Sequence, residues 1–218
     1  MTHKHSPLVQ SAADHILLDR WKKIPVAVAV DLLPPQYQID PLIHPLLPPG
    51  QQPVLFGHAV TALCAPPDFG AVLQALRIIK AGEVLMIDGL GNQDYAMIGD
   101  VLGGYLAHIG ASGIVCDGAV RDTAVLASFS SLSIYTRHIN PRGPKSASSG
   151  QVNTAVTIGG CHVQPGDLIL GDDDGLIAIP VGELPVYIDR CEDKLRLEDK
   201  WKTRLESGED INYIFNLH

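Results

Sequence analysis

The chain has 218 residues, 46% hydrophobic and 18% charged, the make-up of a soluble globular domain large enough to fold without a disulfide or metal staple. Sixteen Lys and Arg stand against 24 Asp and Glu, a formal net charge of −8, which disfavours nucleic acid and anionic membrane surfaces as partners. No apolar run approaches the ~20 residues of a membrane-spanning helix. The four cysteines (Cys64, Cys116, Cys161 and Cys191) form no C-x-x-C pair, which predicts buried thiols in a reducing compartment.

Residues 1–15 are polar, lack the apolar core of a signal peptide, and are expected to be flexible; the expected location is the cytoplasm. Residues 16–35 carry ILLDRW and the run IPVAVAVDLLPP. Seven prolines between 34 and 53 exclude a long helix and predict an irregular wrap leading into a strand over 54–65. Asp68 can cap a helix with apolar residues Phe69, Val72, Leu73, Leu76 and Ile79, ended by Gly82. A short strand over 84–88 and a Gly-rich turn at 89–92 follow. A helical stretch is then expected from about Tyr95 to Ile109. A second strand over 113–117, a short helix to about Ala127 and a third strand over 133–136 complete a β-α-β-α-β run. Such a run predicts a parallel sheet with right-handed crossovers.

After a loop at 140–151 the period changes to two. Residues 154–158 and 161–163 read as a hairpin about Gly159-Gly160, with further turns at 165–167 and 172–175. The expected fold class is therefore α/β, as a single three-layer β/β/α domain. Residues 184–207 read as a charged amphipathic helix with the stripe Leu184, Ile188, Cys191, Leu195, Trp201 and Leu205. Glu198 lies on that stripe, either as a rim residue or as a functional acid.

The strands ending Ile87-Asp88-Gly89 and Cys116-Asp117-Gly118 look alike, and loops after parallel strands emerge on the edge where ligands bind. Beyond the second come Arg121 and Asp122. An Arg there suits a bidentate grip on a carboxylate, and the Asp suits Mg²⁺ or Mn²⁺. A helix cap with a surface ion pair accounts for the same two residues equally well. Asp100, among the glycines of Gly99-Asp100-Val101-Leu102-Gly103-Gly104, could orient a water or relay a proton; a kinked helix with a solvated Asp explains it as well. The Gly89-Leu90-Gly91 turn lacks the rest of a dinucleotide fingerprint. There is no phosphate-binding P-loop and no G-x-S-x-G elbow, and no lysine stands out for a Schiff base.

Four pieces in order resemble the RraA-like family: Gly99 to Gly103, GASGIVCDGAVRD from Gly110 to Asp122, Asn140-Pro141-Arg142-Gly143, and PGDLILGDDDGLIAIP from Pro165 to Pro180. Within that family the chain is similar to metal-dependent (class II) pyruvate aldolases of the 4-hydroxy-4-methyl-2-oxoglutarate type. The resemblance implies a swivelling-type β/β/α fold assembled as homotrimers or homohexamers, with sites between subunits. It implies retro-aldol cleavage of 4-hydroxy-2-oxo acids to pyruvate plus an oxo acid, with oxaloacetate decarboxylation alongside. Arg121 would bind the pyruvyl carboxylate and oxo group, and Asp122 would hold Mg²⁺ or Mn²⁺. The N–H groups of Gly99, Asp100, Val101 and Leu102 would hold a substrate carboxylate, with Asp100 near the reacting water. Glu198 would reach a neighbouring subunit's site. The family also has a regulatory branch that binds and inhibits an RNA-processing ribonuclease. That branch typically lacks the Gly-Asp loop and the acid after the Arg; this chain has both.

Overall fold

The computed structural model describes residues 12–217, so the expectations for residues 1–11 lie outside it. The helices are α1 (Ala12–Trp21), α2 (Val26–Val30), α3 (Gly70–Ala75), α4 (Asp100–Ile109), α5 (Thr123–Leu126), α6 (Leu184–Glu206) and α7 (Ile211–Phe215). The strands are β1 (His44–Pro45), β2 (Leu55–Leu63), β3 (Val84–Ile98), β4 (Gly113–Val120), β5 (Ser133–Ile139), β6 (Gln151–Val152), β7 (Val156–Ile158), β8 (Cys161–Val163), β9 (Leu168–Asp172) and β10 (Gly175–Ile179). No helix among the described residues is long and apolar enough to cross a membrane.

One eight-stranded mixed sheet runs in the order β1-β5-β4-β3-β2-β9-β10, with β6 also paired to β2. Strands β2 to β5 run parallel to one another, as the βαβ pattern requires. β2 changes company along its length. Residues 59–63 pair with β3, and residues 55–58 pair antiparallel with β9.

The layers follow from alternation along the strands. Leu85 and Ile87 face a core that also holds α3, α4 and α5; Val84 and Met86 face the opposite core. That second core is completed by Val156, Ile158 and Val163 of the β7–β8 hairpin and by Ile169 and Leu176 of β9–β10. The far face of β9–β10 turns Leu168, Leu170, Ile177 and Ile179 toward α1, α2 and α6. The sheet thus curls until its antiparallel end packs over its parallel end, a mixed α/β arrangement close to a barrel, flanked by the C-terminal helix. α1 is tied to α6 by a two-pronged Arg20–Glu192 pair, both contacts 2.8 Å. The Trp21 indole also donates to Leu184 O at 3.1 Å.

Three expectations need correction. The helix placed from Tyr95 starts only at Asp100, because β3 runs on to Ile98 through bulges. Ala96, Met97 and Ile98 are buried, and an apolar run buried on both faces carries no period to separate strand from helix. Asp88 and Asp117 therefore sit inside strands, not at their ends. Residues 12–15, read as flexible, form the start of α1. α7, after Gly208, was not anticipated.

Candidate active site

The true ends of β3 and β4 lie side by side, with Ile98 paired to Val120. The chain leaves β3 through Gly99 into α4, and leaves β4 through Arg121-Asp122 into α5. Between them opens a cleft of about 220 Å³, lined by Phe69, Leu73, residues 96–102, Arg121 and Pro144. The expected residues Gly99, Asp100, Val101, Leu102 and Arg121 all line it, and Asp122 borders it.

Asp122 is held in the left-handed region, φ 55°, which Asp tolerates better than most residues. Its Oδ2 lies 3.3 Å from Arg121 Nε and accepts from Asp100 N at 3.3 Å. Oδ1 has no partner among the described residues. The Arg121 and Asp122 side chains are 41% and 37% exposed, so the pair is open to a ligand. Two glycines make room for it. A Cβ at Gly99 would stand 2.4 Å from Asp122 Oδ2 and 2.8 Å from Arg121 Cγ; one at Gly143 would stand 2.5 Å from Arg121 Nη1. Of the N–H groups expected to hold a carboxylate, Asp100 N is taken up by Asp122, and Val101 N by the Asp100 side chain at 2.7 Å.

The outer wall comes from a loop that the sequence motifs only partly flagged. Arg142 accepts from Ala96 N through its carbonyl and donates its N–H to Asn140 Oδ1, both at 2.8 Å. Asp68 then latches the loop to the start of α3. It accepts from Gly70 N, Ser148 N and Ser149 N at 2.8, 2.9 and 3.1 Å. Hydrogen bonds led by that of Ser146 hold its carboxyl well below the usual range. Above the loop, Arg142 and Lys145 flank the Tyr95 ring at 5.6 and 5.2 Å, and Lys145 draws the Tyr95 hydroxyl below its ordinary value.

Glu198 is not in the cleft of its own chain. It sits on α6, whose buried residues face the β9–β10 side of the fold, and lies 3.7 Å from Lys194, which also grips Asp31 at 2.5 Å. Thiol chemistry finds no foothold: all four cysteines are buried and free, and burial pushes Cys64 up to about 12. Among the described residues no three His, Cys, Asp or Glu side chains gather as a metal cage. Asp122, with one unengaged oxygen, instead fits a divalent cation held largely by water and substrate oxygens, as Mg²⁺ is commonly bound.

Comparison with known proteins identifies the family. The model of the RraA-like family, described as Aldolase/RraA, matches residues 29–178. A Halalkalibacterium halodurans protein named "Putative 4-hydroxy-4-methyl-2-oxoglutarate aldolase" is 31% identical over 79% of this chain and 80% of its own. A solved Pseudomonas syringae structure of an uncharacterized protein has a TM-score of 0.80 at 21% identity, covering 92% of this chain and 96% of that one. A Streptomyces coelicolor structure, described as an unusual member of the RNase ES inhibitor RraA protein family, has a TM-score of 0.75 at 25% identity, covering 88% and 98%. The chain belongs to the RraA-like family.

Proposed function

We propose that the chain is a divalent-metal-dependent carbon–carbon lyase. It cleaves 4-hydroxy-2-oxo acids, of the 4-hydroxy-4-methyl-2-oxoglutarate type, to pyruvate plus an oxo acid, and decarboxylates oxaloacetate. The observation that carries this reading is the open Arg121–Asp122 pair, kept clear by Gly99 and Gly143 at the joined ends of β3 and β4. The aldolase-named relative supports the same chemistry.

Mg²⁺ or Mn²⁺ held at Asp122 would supply Lewis-acid polarisation of the 2-oxo group. The rest is the work of the chain. Arg121 binds the pyruvyl carboxylate and stabilises the negative charge that develops as the C3–C4 bond breaks. Asp100, at the mouth of α4, orients a water that takes the proton of the 4-hydroxyl. Glu198 joins it from a neighbouring subunit of a trimer or hexamer. Decarboxylation releases CO₂ with no hydroxyl proton to remove. The buried thiols accord with a cytoplasmic setting.

Pyruvate release, followed by a coupled NADH-linked assay, tests the reading on oxaloacetate and on 4-hydroxy-2-oxo acids with Mg²⁺, Mn²⁺ or excess chelator. Turnover should require metal and disappear in Asp122→Asn. Asp100→Ala and Glu198→Ala should lose aldol cleavage more than decarboxylation; equal loss of both would remove the proton-relay roles. The likeness to the Streptomyces coelicolor inhibitor-family structure keeps a second reading in view, a non-catalytic protein that inhibits a partner ribonuclease. Folded protein without turnover on any substrate or metal would favour it.

A further inference from the structure

Of the side chains that line the cleft, only Asp100 and Arg121 carry charge, and both stand just beyond the strand ends. The rest of the lining is apolar. Phe69 at the start of α3 and Leu73 one turn on share a helix face, and Leu102 of α4 and Pro144 join them. Phe69, Leu73 and Leu102 pack on the core beneath and remain half-buried, so each keeps a face for a ligand; Val101 at the lip is 75% exposed. This lining is held in place. Phe69 N donates to Ser146 O at 3.0 Å, and Asp68 clamps Gly70 N together with the loop beyond Pro144. Arg142 and Lys145 lie against the Tyr95 ring, and neither lines the cleft. At about 220 Å³, roughly seven water volumes, the cleft holds more than a pyruvyl group. A second carboxylate set against this lining would lose its water with no cation in return, and Asp100 would repel it. An alkyl group gains from the same burial.

We propose that Phe69, Leu73, Leu102 and Pro144 form an apolar subsite for the C4 substituent of a substrate whose pyruvyl end is held at Arg121, and that this substituent is an alkyl chain. The inference rests on the lyase reading for the position and cleavage of the pyruvyl end. It goes beyond that reading in the second product, an aldehyde bearing the chain in place of an oxo acid. Atoms and electrons balance. The 4-hydroxyl gives up its proton, its O–H electron pair closes the C=O of the aldehyde, the C3–C4 pair passes to C3 as the pyruvate enolate, and a proton returned to C3 completes pyruvate.

The test compares 4-hydroxy-2-oxopentanoate, 4-hydroxy-2-oxohexanoate and 4-hydroxy-2-oxoheptanoate, whose C4 groups are methyl, ethyl and propyl, with 4-hydroxy-2-oxoglutarate, whose C4 group is a carboxylate. Wild-type kcat/KM should rise about threefold per methylene, chiefly through KM, and the propyl substrate should surpass the diacid. Leu73→Ala should lower kcat/KM for the propyl substrate about tenfold more than for the methyl one, and Leu73→Met should recover most of that difference. A wild type that prefers the diacid, or shows no rise with chain length, would overturn the subsite. So would an equal loss on all substrates in Leu73→Ala, which would make the residue merely structural. Calorimetric binding of 2-oxopentanoate, 2-oxoheptanoate and 2-oxoglutarate, with Mg²⁺ present, separates this inference from the lyase reading. If wild type turns over none of the four substrates, the lyase reading fails. The subsite then stands if 2-oxoheptanoate binds tightest and Leu73→Ala erases its advantage. It falls if 2-oxoglutarate binds as well or better, if none of the three binds, or if the variant keeps the preference.

Discussion

β3 and β4 each carry a carboxylate inside the strand, and their outer ends carry another pair; the two regions use the same chemical group in opposite ways. Asp88 accepts from Leu90 N and Thr157 N at 3.0 and 3.1 Å. Asp117 accepts from Arg137 Nε and Gly159 N, both at 2.6 Å. These acids are buried and consumed, fastening the β7–β8 hairpin to the parallel strands. At the ends of the strands, Asp100 and Asp122 are part-exposed, and Asp122 keeps an oxygen unengaged. A carboxylate beside a Gly after an apolar strand is thus not by itself a ligand site. What decides is whether neighbouring N–H groups have already used its lone pairs.

Swapping the perturbations between the two regions sharpens that contrast. Asp122→Asn tolerates the left-handed backbone and keeps the shape of the side chain. It should cost at least about 100-fold in pyruvate release, while the melting temperature stays nearly unchanged. Asp117→Ala should do the reverse. It takes from the largely buried Arg137 the closer of its two carboxylates, leaving Asp40 at 3.0 Å, and strips Gly159 N of its acceptor, which together cost about 2 kcal/mol, a fall of roughly 6 °C in melting temperature for a chain of this size. Kinetic constants of the protein that remains folded should shift far less. If Asp122→Asn proved the more destabilising of the two, the contrast between the consumed and the open carboxylates would collapse.

Gly99→Ala comes next in size. Its backbone, φ −150°, suits alanine, so the penalty lies in the contacts of the added Cβ with Asp122 and Arg121. We expect about a tenfold loss of kcat/KM with less than about 1.5 kcal/mol of destabilisation, from a chevron or denaturant midpoint. The smallest effect concerns Asp68, a consumed acid in service of the cleft. Its carboxyl is held low in the fold, so its contribution is complete above about pH 4, the usual carboxylate value, and is lost as the pH falls toward the folded value. The melting temperature of wild type should therefore drop more steeply below pH 4 than that of Asp68→Asn. Parallel curves would show that the latch does not depend on charge.

Much of the parallel layer is legible in the sequence, because β4 and β5 are short apolar strands bounded by turns. β3 is not. Its middle, Leu90-Gly91-Asn92-Gln93-Asp94, has turn chemistry, and only pairing with β4 reveals that the strand resumes. Arg121-Asp122 can be found as a charged doublet after a buried strand, and Gly99 to Leu102 as an unusual helix entrance. The walls Phe69, Leu73 and Pro144 cannot be found that way, since they reach the cleft through the Asp68 latch across some 80 residues. The signal within reach is Asp68 itself: expected as a helix cap, it accepts from Gly70 N, Ser148 N and Ser149 N, while the N-cap position of α3 falls to Phe69. Glu198 stands on the correct stripe of α6, but α6 packs on the face away from the cleft, so its place in chemistry depends on a second chain.

β2 belongs to both ends of the curled sheet, bonded to β3 over 59–63 and to β9 over 55–58. Neither end can detach without breaking the strand that completes the other. Local opening is therefore suppressed along β2, and its amides should exchange with solvent only when the whole molecule unfolds. Cleft and C-terminal helix are thereby joined in one cooperative unit, so that loosening either is felt by both.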